Sequence, residues 1–318
     1  MNAGLVVVAS DGAEVEMFGE APEIALRAQD AAPLGGLAVT GAVHDVISGI
    51  VVAVPLGTLA HDGGSAPARL YRVISADQAR GRGFAPREAT PFVGREDEAR
   101  LLADRWARVL EGEGRFALVA GEPGIGKTRL VQEFKAGLPA DEQRVIECGG
   151  AMLFATTPFH AVIQILRQGL GWSEADTPAE RLAALEQALG LTDLNLDEAV
   201  PLVGELLDLP IPTTYAALSL TPDQRRQRLL ASLAAWVFAA ARDKPLLLVA
   251  EDLHWIDPSS LELLQTLVEQ GATSRVMLLC TARLEFRGPW RTRSHHTQLV
   301  LAGLAARPMQ DLVAGLVD

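Results

Sequence analysis

Gly121-Glu122-Pro123-Gly124-Ile125-Gly126-Lys127-Thr128 fits the phosphate-binding loop pattern G-x-x-x-x-G-K-[ST] at every fixed position. Its neighbours supply the order such a loop needs. Phe116 to Ala120 before it is a continuous apolar run of the kind a buried parallel strand requires. Thr128 to Ala136 after it places Leu130, Val131 and Phe134 at helical spacing. The glycines let successive backbone N–H groups turn inward around phosphate oxygens, and the helix adds its positive dipole end. Lys127 would then reach the β- and γ-phosphates, and the Thr128 hydroxyl would sit on Mg²⁺. The pattern implies a nucleoside triphosphate site, with Gly121, Glu122, Pro123, Gly124, Ile125, Gly126, Lys127, Thr128 and Arg129 as candidate contacts.

Downstream, the apolar run Leu246 to Ala250 ends in Glu251-Asp252, followed by Leu253-His254-Trp255-Ile256-Asp257. A strand that ends in carboxylates after a phosphate loop is the Walker B arrangement. One carboxylate holds Mg²⁺ next to the loop threonine, and the second orients or deprotonates the attacking water. Glu251 is assigned to the metal with Thr128, and Asp252 to the base. Asp257 stands before Pro258 and a helical run, which an N-cap explains fully. His254 and Trp255 read as side chains packed near the site. Strand-like Val276 to Cys280 runs into Thr281-Ala282-Arg283. A guanidinium at that position stays charged and can bond a γ-phosphate bidentately, so Arg283 joins Lys127 and Asp252 as a candidate catalytic group. His295-His296, among Arg291, Arg293 and Ser294, lacks a spaced third ligand and reads as a solvated loop.

Composition sets bounds on these readings. The 318 residues are 49% hydrophobic and 21% charged, ordinary for a globular chain long enough for two domains. A net charge of −12 argues against a general polyanion binder, so no direct nucleic-acid contact is expected. Cys148 and Cys280 have no metal or redox spacing and fall in apolar runs, so both are expected as buried thiols. No basic region precedes the short N-terminal apolar run, and the longest apolar run, Leu229 to Ala241, is too short to span a bilayer. A cytoplasmic chain without a signal peptide or membrane contact is expected.

Before the loop domain, strand candidates lie at Leu5 to Ala9 (ending at a Ser10-Asp11-Gly12 turn), Leu37 to Thr40, Ile50 to Val54 and Leu70 to Ile74, with a helix over Pro22 to Asp30. Gly4 to Val8, Gly19 to Arg27, Ala32 to Thr40 and Leu70 to Val73 resemble, in order, the motifs of the second half of a class III nucleotide cyclase domain. Glu23 stands where that family has its catalytic asparagine, so only Arg27 of the pair is kept, and the family's two metal-binding aspartates belong to the other half. The resemblance implies a cyclase remnant without chemistry over residues 1–74. Residues 75–90, rich in Gly, Ala and Arg without periodicity, read as a linker.

From Pro91 the pattern is that of the nucleotide domain, residues 91–318. Phe92-Val93-Gly94-Arg95-Glu96 leads into a helix to about Gly112, with Leu101, Leu102, Trp106 and Leu110 on one face. Arg144 to Cys148 is a strand, residues 158–242 are helical with a start at Thr221-Pro222-Asp223-Gln224, and a strand at Leu299 to Leu301 and a helix after Arg307 close the chain. The 92–96 segment, the loop, Glu251 to Asp257 and Thr281 to Arg283 together resemble the signal-transduction ATPases with numerous domains, a branch of the AAA-like P-loop proteins, and more narrowly the ATPase module that follows a cyclase domain in bacterial multidomain regulators. The resemblance implies that Val93, Gly94 and Arg95 lie on the adenine side. It also implies that a winged-helix lid and effector domains belong beyond Asp318. The expected fold is α/β, a P-loop NTPase with a parallel five-stranded sheet between helices, preceded by a small α+β cyclase-like domain. The expected function is Mg²⁺-dependent binding of ATP or ADP with slow hydrolysis, a signalling switch that acts on protein partners or by self-association. The alternatives are a cyclase-related protein and a nucleotide-binding interaction fragment that does not hydrolyse.

Overall fold

The computed structural model describes residues 7–11, 14–18, 20–32, 37–47, 51–59, 67–76, 92–139, 141–173, 175–305 and 307–310. The chain divides into two compact units, Met1–Pro91 and Phe92–Asp318.

In the first unit, β1 (Val7–Asp11) pairs antiparallel with β2 (Glu14–Phe18). There follow α1 (Glu20–Asp30), β3 (Leu37–Thr40), α2 (Gly41–Ile47), β4 (Val51–Leu59) and β5 (Ala68–Ala76). The strands β3, β5 and β4, in that order, make an antiparallel sheet with β5 in the middle. Pro55 is tolerated in β4 because that strand pairs on one side only, and the register slips between Pro55 and Gly57. Three readings change here. Ser10 and Asp11 continue β1 instead of turning, while Leu5, Val6 and Gly12 lie outside the described residues. β2 and α2 were not expected: Glu14 and Glu16, and His44 with Asp45, break the apolar runs by which the other elements were read. Ser75 and Ala76, the first two residues of the expected linker 75–90, close β5, and residues 77–91 lie outside the described residues.

The second unit is the α/β sandwich the sequence implies. It runs α3 (Glu96–Leu110), β6 (Arg115–Gly121), α4 (Lys127–Ala136), β7 (Arg144–Gly149), α5 (His160–Gly169), α6 (Pro178–Leu189), α7 (Leu196–Leu206), α8 (Pro222–Asp243), β8 (Leu246–Glu251), α9 (Pro258–Gln270), β9 (Val276–Ala282) and β10 (His296–Leu301). The sheet order is β10-β6-β9-β8-β7, and every neighbouring pair is parallel. Both faces are covered, which is why its strands read as unbroken apolar runs. Ala117, Val119, Val249 and Leu279 meet Leu102, Trp106, Leu130 and Phe134 of α3 and α4 on one face. Phe116, Ile146, Leu248 and Cys280 meet Ile165, Leu233, Trp236 and Leu264 of α5, α8 and α9 on the other. Each such aliphatic side chain contributes about 1.5–3 kcal/mol by leaving water. Both cysteines are buried free thiols, and burial pushes the Cys280 pKa well up.

Three further corrections follow from this packing. Leu102, Trp106 and Val109 form the buried stripe of α3, following i, i+4, i+7, whereas Leu110 turns away and is 47% exposed. The helical span 158–242 is four helices, and Pro210 and Pro212 fall in the break before α8. Its capping box at Thr221 and Gln224 forms as read. His295-His296 is no solvated loop. Pairing with β6 begins at His296↔Phe116, so the last strand starts three residues earlier than read, and His295 is buried. The His296 ring meets Phe116 edge-on at 5.2 Å. Arg307 to Gln310 are helical, and the rest of the expected last helix lies outside the described residues.

Candidate functional site

The sheet order puts the carboxyl ends of β6, β9 and β8 side by side, and the sequence places its polar groups there. After Gly121 the chain turns through Gly124 (φ 76°) and Gly126 (φ 100°), left-handed positions that L side chains avoid, and enters α4 directly at Lys127. The Lys127 Nζ donates to the carbonyls of Gly121 and Glu122, each at 2.9 Å, so the loop wraps its own lysine. Burial lowers the lysine pKa; the Asp252 carboxylate opposes that shift and the Arg283 guanidinium adds to it. At the next residue, the Thr128 Oγ1 donates to the Glu251 Oε2 at 2.7 Å, joining the start of α4 to the end of β8. Glu251 is buried.

The next residue breaks the strand. Asp252 has φ 55° and ψ 50°, left-handed although it carries a side chain, at a cost of about 1–2 kcal/mol. Its N–H donates to the Thr281 Oγ1 of β9 at 2.9 Å, and its carbonyl accepts from the Trp255 N–H at 2.8 Å, opening a tight turn over Leu253–Trp255. Gly150 at the end of β7 lies against that turn: a Cβ there would stand 2.5 Å from the Asp252 carbonyl oxygen and 2.4 Å from the Trp255 carbonyl carbon. Asp257 closes the segment. Its Oδ1 caps α9 through the Ser260 N–H at 2.9 Å and accepts the Phe159 N–H at 2.8 Å. Arg283 lays its guanidinium over the Trp255 ring, 5.4 Å from the centroid, and the Glu285 carboxylate lies 3.9 Å away. A cavity of about 380 Å³ is bounded by Pro123, Gly124, Gly126, Lys127, Thr128, Arg129, Asp252, His254, Trp255 and Arg283. Burial lowers the His254 pKa, and among the described residues its Nδ1 has no hydrogen-bond partner.

A family model described as an AAA ATPase domain matches residues 91–279, more than half of the chain. The chain belongs to the AAA ATPase domain family. Among curated relatives, an uncharacterised protein of Rhizobium meliloti (strain 1021) is 28% identical over 251 residues, covering 76% of this chain and 23% of the relative. The hybrid signal transduction histidine kinase G of Dictyostelium discoideum is 25% identical over 187 residues, covering 58% of this chain and 5% of the kinase. The chain thus spans under a quarter of the length of either relative. Among solved structures, Cdc6p from Pyrobaculum aerophilum has 16% identity and a TM-score of 0.38, covering 74% of this chain and 51% of that one. The Drosophila ORC bound to DNA has 16% identity and a TM-score of 0.41, covering 74% and 48%. Among the described residues no helix is long and apolar enough to cross a membrane.

Within this AAA ATPase, most of the residues singled out from sequence meet around one cavity. Lys127, Asp252 and Arg283 line it with Pro123, Gly124, Gly126, Thr128 and Arg129. Gly121, Glu122 and Ile125 stand just behind in the loop, and Glu251 reaches it through Thr128. Val93, Gly94 and Arg95 are not in that lining. The Arg95 guanidinium is buried against the Ala302 carbonyl and the Glu98 carboxylate, and a Cβ on Gly94 would meet Pro308 at 2.6 Å. Thr281 and Gly150 escaped the sequence reading as supports of the site. Nothing local marks them, since their partners lie 29 residues or more away across the sheet.

Proposed function

We propose that the Phe92–Asp318 unit binds ATP with Mg²⁺ and hydrolyses it slowly, as a switch read by protein partners or by further copies of the chain. The observation that carries the reading is the Thr128–Glu251 bond beside a loop-wrapped Lys127 that lines one cavity with Asp252. The residues fit the substrate. Backbone N–H groups at the start of α4 and the Lys127 ammonium are the donors that a triphosphate requires, in a cavity of about 380 Å³. Thr128 and Glu251 are the hard oxygen pair that would hold Mg²⁺, which when bound neutralises charge on the phosphates.

In the reaction, a water oxygen forms a bond to the γ-phosphorus as the bond to the bridging oxygen breaks, and ADP leaves with that electron pair. Asp252 orients the water and takes its proton; Lys127 and Arg283 offset the charge that builds on the phosphoryl oxygens. Arg283 rests on Trp255 beside this cavity, within reach of a role as the group that registers the γ-phosphate. A protein whose ATP and ADP states differ at Arg283 can bias partners between two conformations. The likeness to a signal transduction histidine kinase supports this regulatory use, and a cytoplasmic setting suits it. The first unit fits a cyclase-like remnant without its own chemistry: its elements keep the motif order, and Glu23 is bonded to Arg27 at 2.8 Å on an exposed surface.

Calorimetric titration with ATP and ADP in Mg²⁺, beside phosphate release, tests the proposal. Lys127→Ala should weaken binding by about a hundredfold or more, since it removes a charge-assisted contact from a desolvated site. Unchanged affinity would overturn the assignment.

A further inference from the structure

We propose that Thr281 is a positioning residue that locks Asp252 in its left-handed conformation and so aims the carboxylate into the cavity. The inference rests on the hydrolytic reading above and deepens it.

Thr281 is fully buried at the end of β9 and does not line the cavity, so its hydroxyl has no access to phosphate. That hydroxyl is spent on the Asp252 N–H, 2.9 Å away on the neighbouring strand. Asp252 needs such a tie. With φ 55° it sits in a backbone region that side chains leave unless the surroundings over-determine it. Its carbonyl is held by the Trp255 N–H on one side, and Thr281 holds the peptide on the other. Gly150 packs against the same turn so closely that only a residue without a Cβ fits there. Asp252 lines the same cavity as Lys127. With the acceptor gone, the peptide between Glu251 and Asp252 keeps the Gly150 N–H on its Glu251 carbonyl at 2.9 Å and loses its tie at the N–H end, so it can tilt about the remaining bond. That motion displaces the proposed base, while the Glu251 carboxylate stays held by the Thr128 hydroxyl.

Thr281→Val keeps the shape and deletes the acceptor, and Thr281→Ser keeps the acceptor. The full chain is assayed for phosphate release, for ATP and ADP affinity by calorimetry, and for hydrogen exchange at the Asp252 amide. In Thr281→Val, kcat should fall at least about tenfold, as for a misplacement of the order of 1 Å, with affinity within about twofold and faster Asp252 exchange. Thr281→Ser should restore all three. Wild-type kcat in Thr281→Val, unchanged exchange, or a serine variant as impaired as the valine one would overturn the inference. A wild-type chain that releases no phosphate overturns the hydrolytic reading and the catalytic part of this inference with it; faster exchange in Thr281→Val alone still upholds the backbone clamp.

Discussion

The unit from Phe92 and the unit up to Pro91 both set helices against a sheet, yet they hold their charged groups in different ways. In the first unit Ala28, Ala38, Val39 and Leu70 are the buried hydrophobic residues among those described, and the Arg27–Glu23 pair is 38% and 52% exposed. In the second unit two apolar layers grip a five-stranded sheet, and Thr128 meets Glu251, itself buried, at the sheet's end. A carboxylate held at one angle is worth much more to chemistry than one that swings in water, and only a packed scaffold holds it so. The difference explains why one unit keeps a cleft lined by charged groups and the other presents an ion pair to solvent.

Four substitutions press on that contrast, in falling order of effect. Asp252→Asn keeps size and backbone but removes the proposed base. Phosphate release should drop by about a hundredfold or more while ATP affinity survives; equal turnover would erase the distinction between the units. Trp255→Leu takes away the ring under Arg283, a contact worth about 0.5–2 kcal/mol, and should slow release by about two- to tenfold. His296 sharpens the comparison through pH. Burial, with His295 and Arg293 adding to it, lowers its pKa from 6.5 to about 4. The folded chain therefore refuses a proton that the unfolded chain accepts. This part of the stability is whole above pH 6.5 and drains away as pH falls towards about 4. His296→Phe should flatten the melting profile there by on the order of 1 kcal/mol, allowing for solvent screening. Arg27→Ala should change stability by less than about 0.5 kcal/mol and leave phosphate release alone, because an exposed i,i+4 pair contributes little. A large loss would mean the first unit is more tightly built than its exposure suggests.

The sheet of the second unit was legible because Phe116 to Ala120, Leu246 to Ala250 and Val276 to Cys280 are apolar without interruption, which both-sided burial demands. The cavity was legible for a related reason. Backbone requirements of a glycine turn and the polar ends of those strands are written contiguously, so Lys127, Thr128, Glu251, Asp252 and Arg283 could be paired with roles before any contact was visible. What stayed hidden was set by distance. Nothing in Thr281 itself tells that its hydroxyl is bound to the N–H of Asp252, and nothing in Gly150 tells that a turn over a hundred residues later rests on it. His295 and His296 misled because polar neighbours in the chain outweighed the apolar ring of Phe116 across the strand pair. In the first unit α1, β3, β4 and β5 were legible from their apolar runs, whereas β2 and α2 were missed because Glu14 and Glu16, and His44 with Asp45, interrupt theirs.

The order β10-β6-β9-β8-β7 has a consequence for synthesis on the ribosome. The strand that leads into the glycine loop is among the first of its unit to emerge, yet both of its partners, β9 and β10, are translated more than a hundred residues later. Until Val276 to Leu301 arrive, Phe116 to Ala120 has no neighbour on either edge, and its apolar side chains and bare amides are open to the wrong company. The nascent protein must therefore be shielded over this stretch while α5 to α8 are made. A polypeptide arrested before β9 would carry every residue of the loop and lack both strands that hold β6 in the sheet.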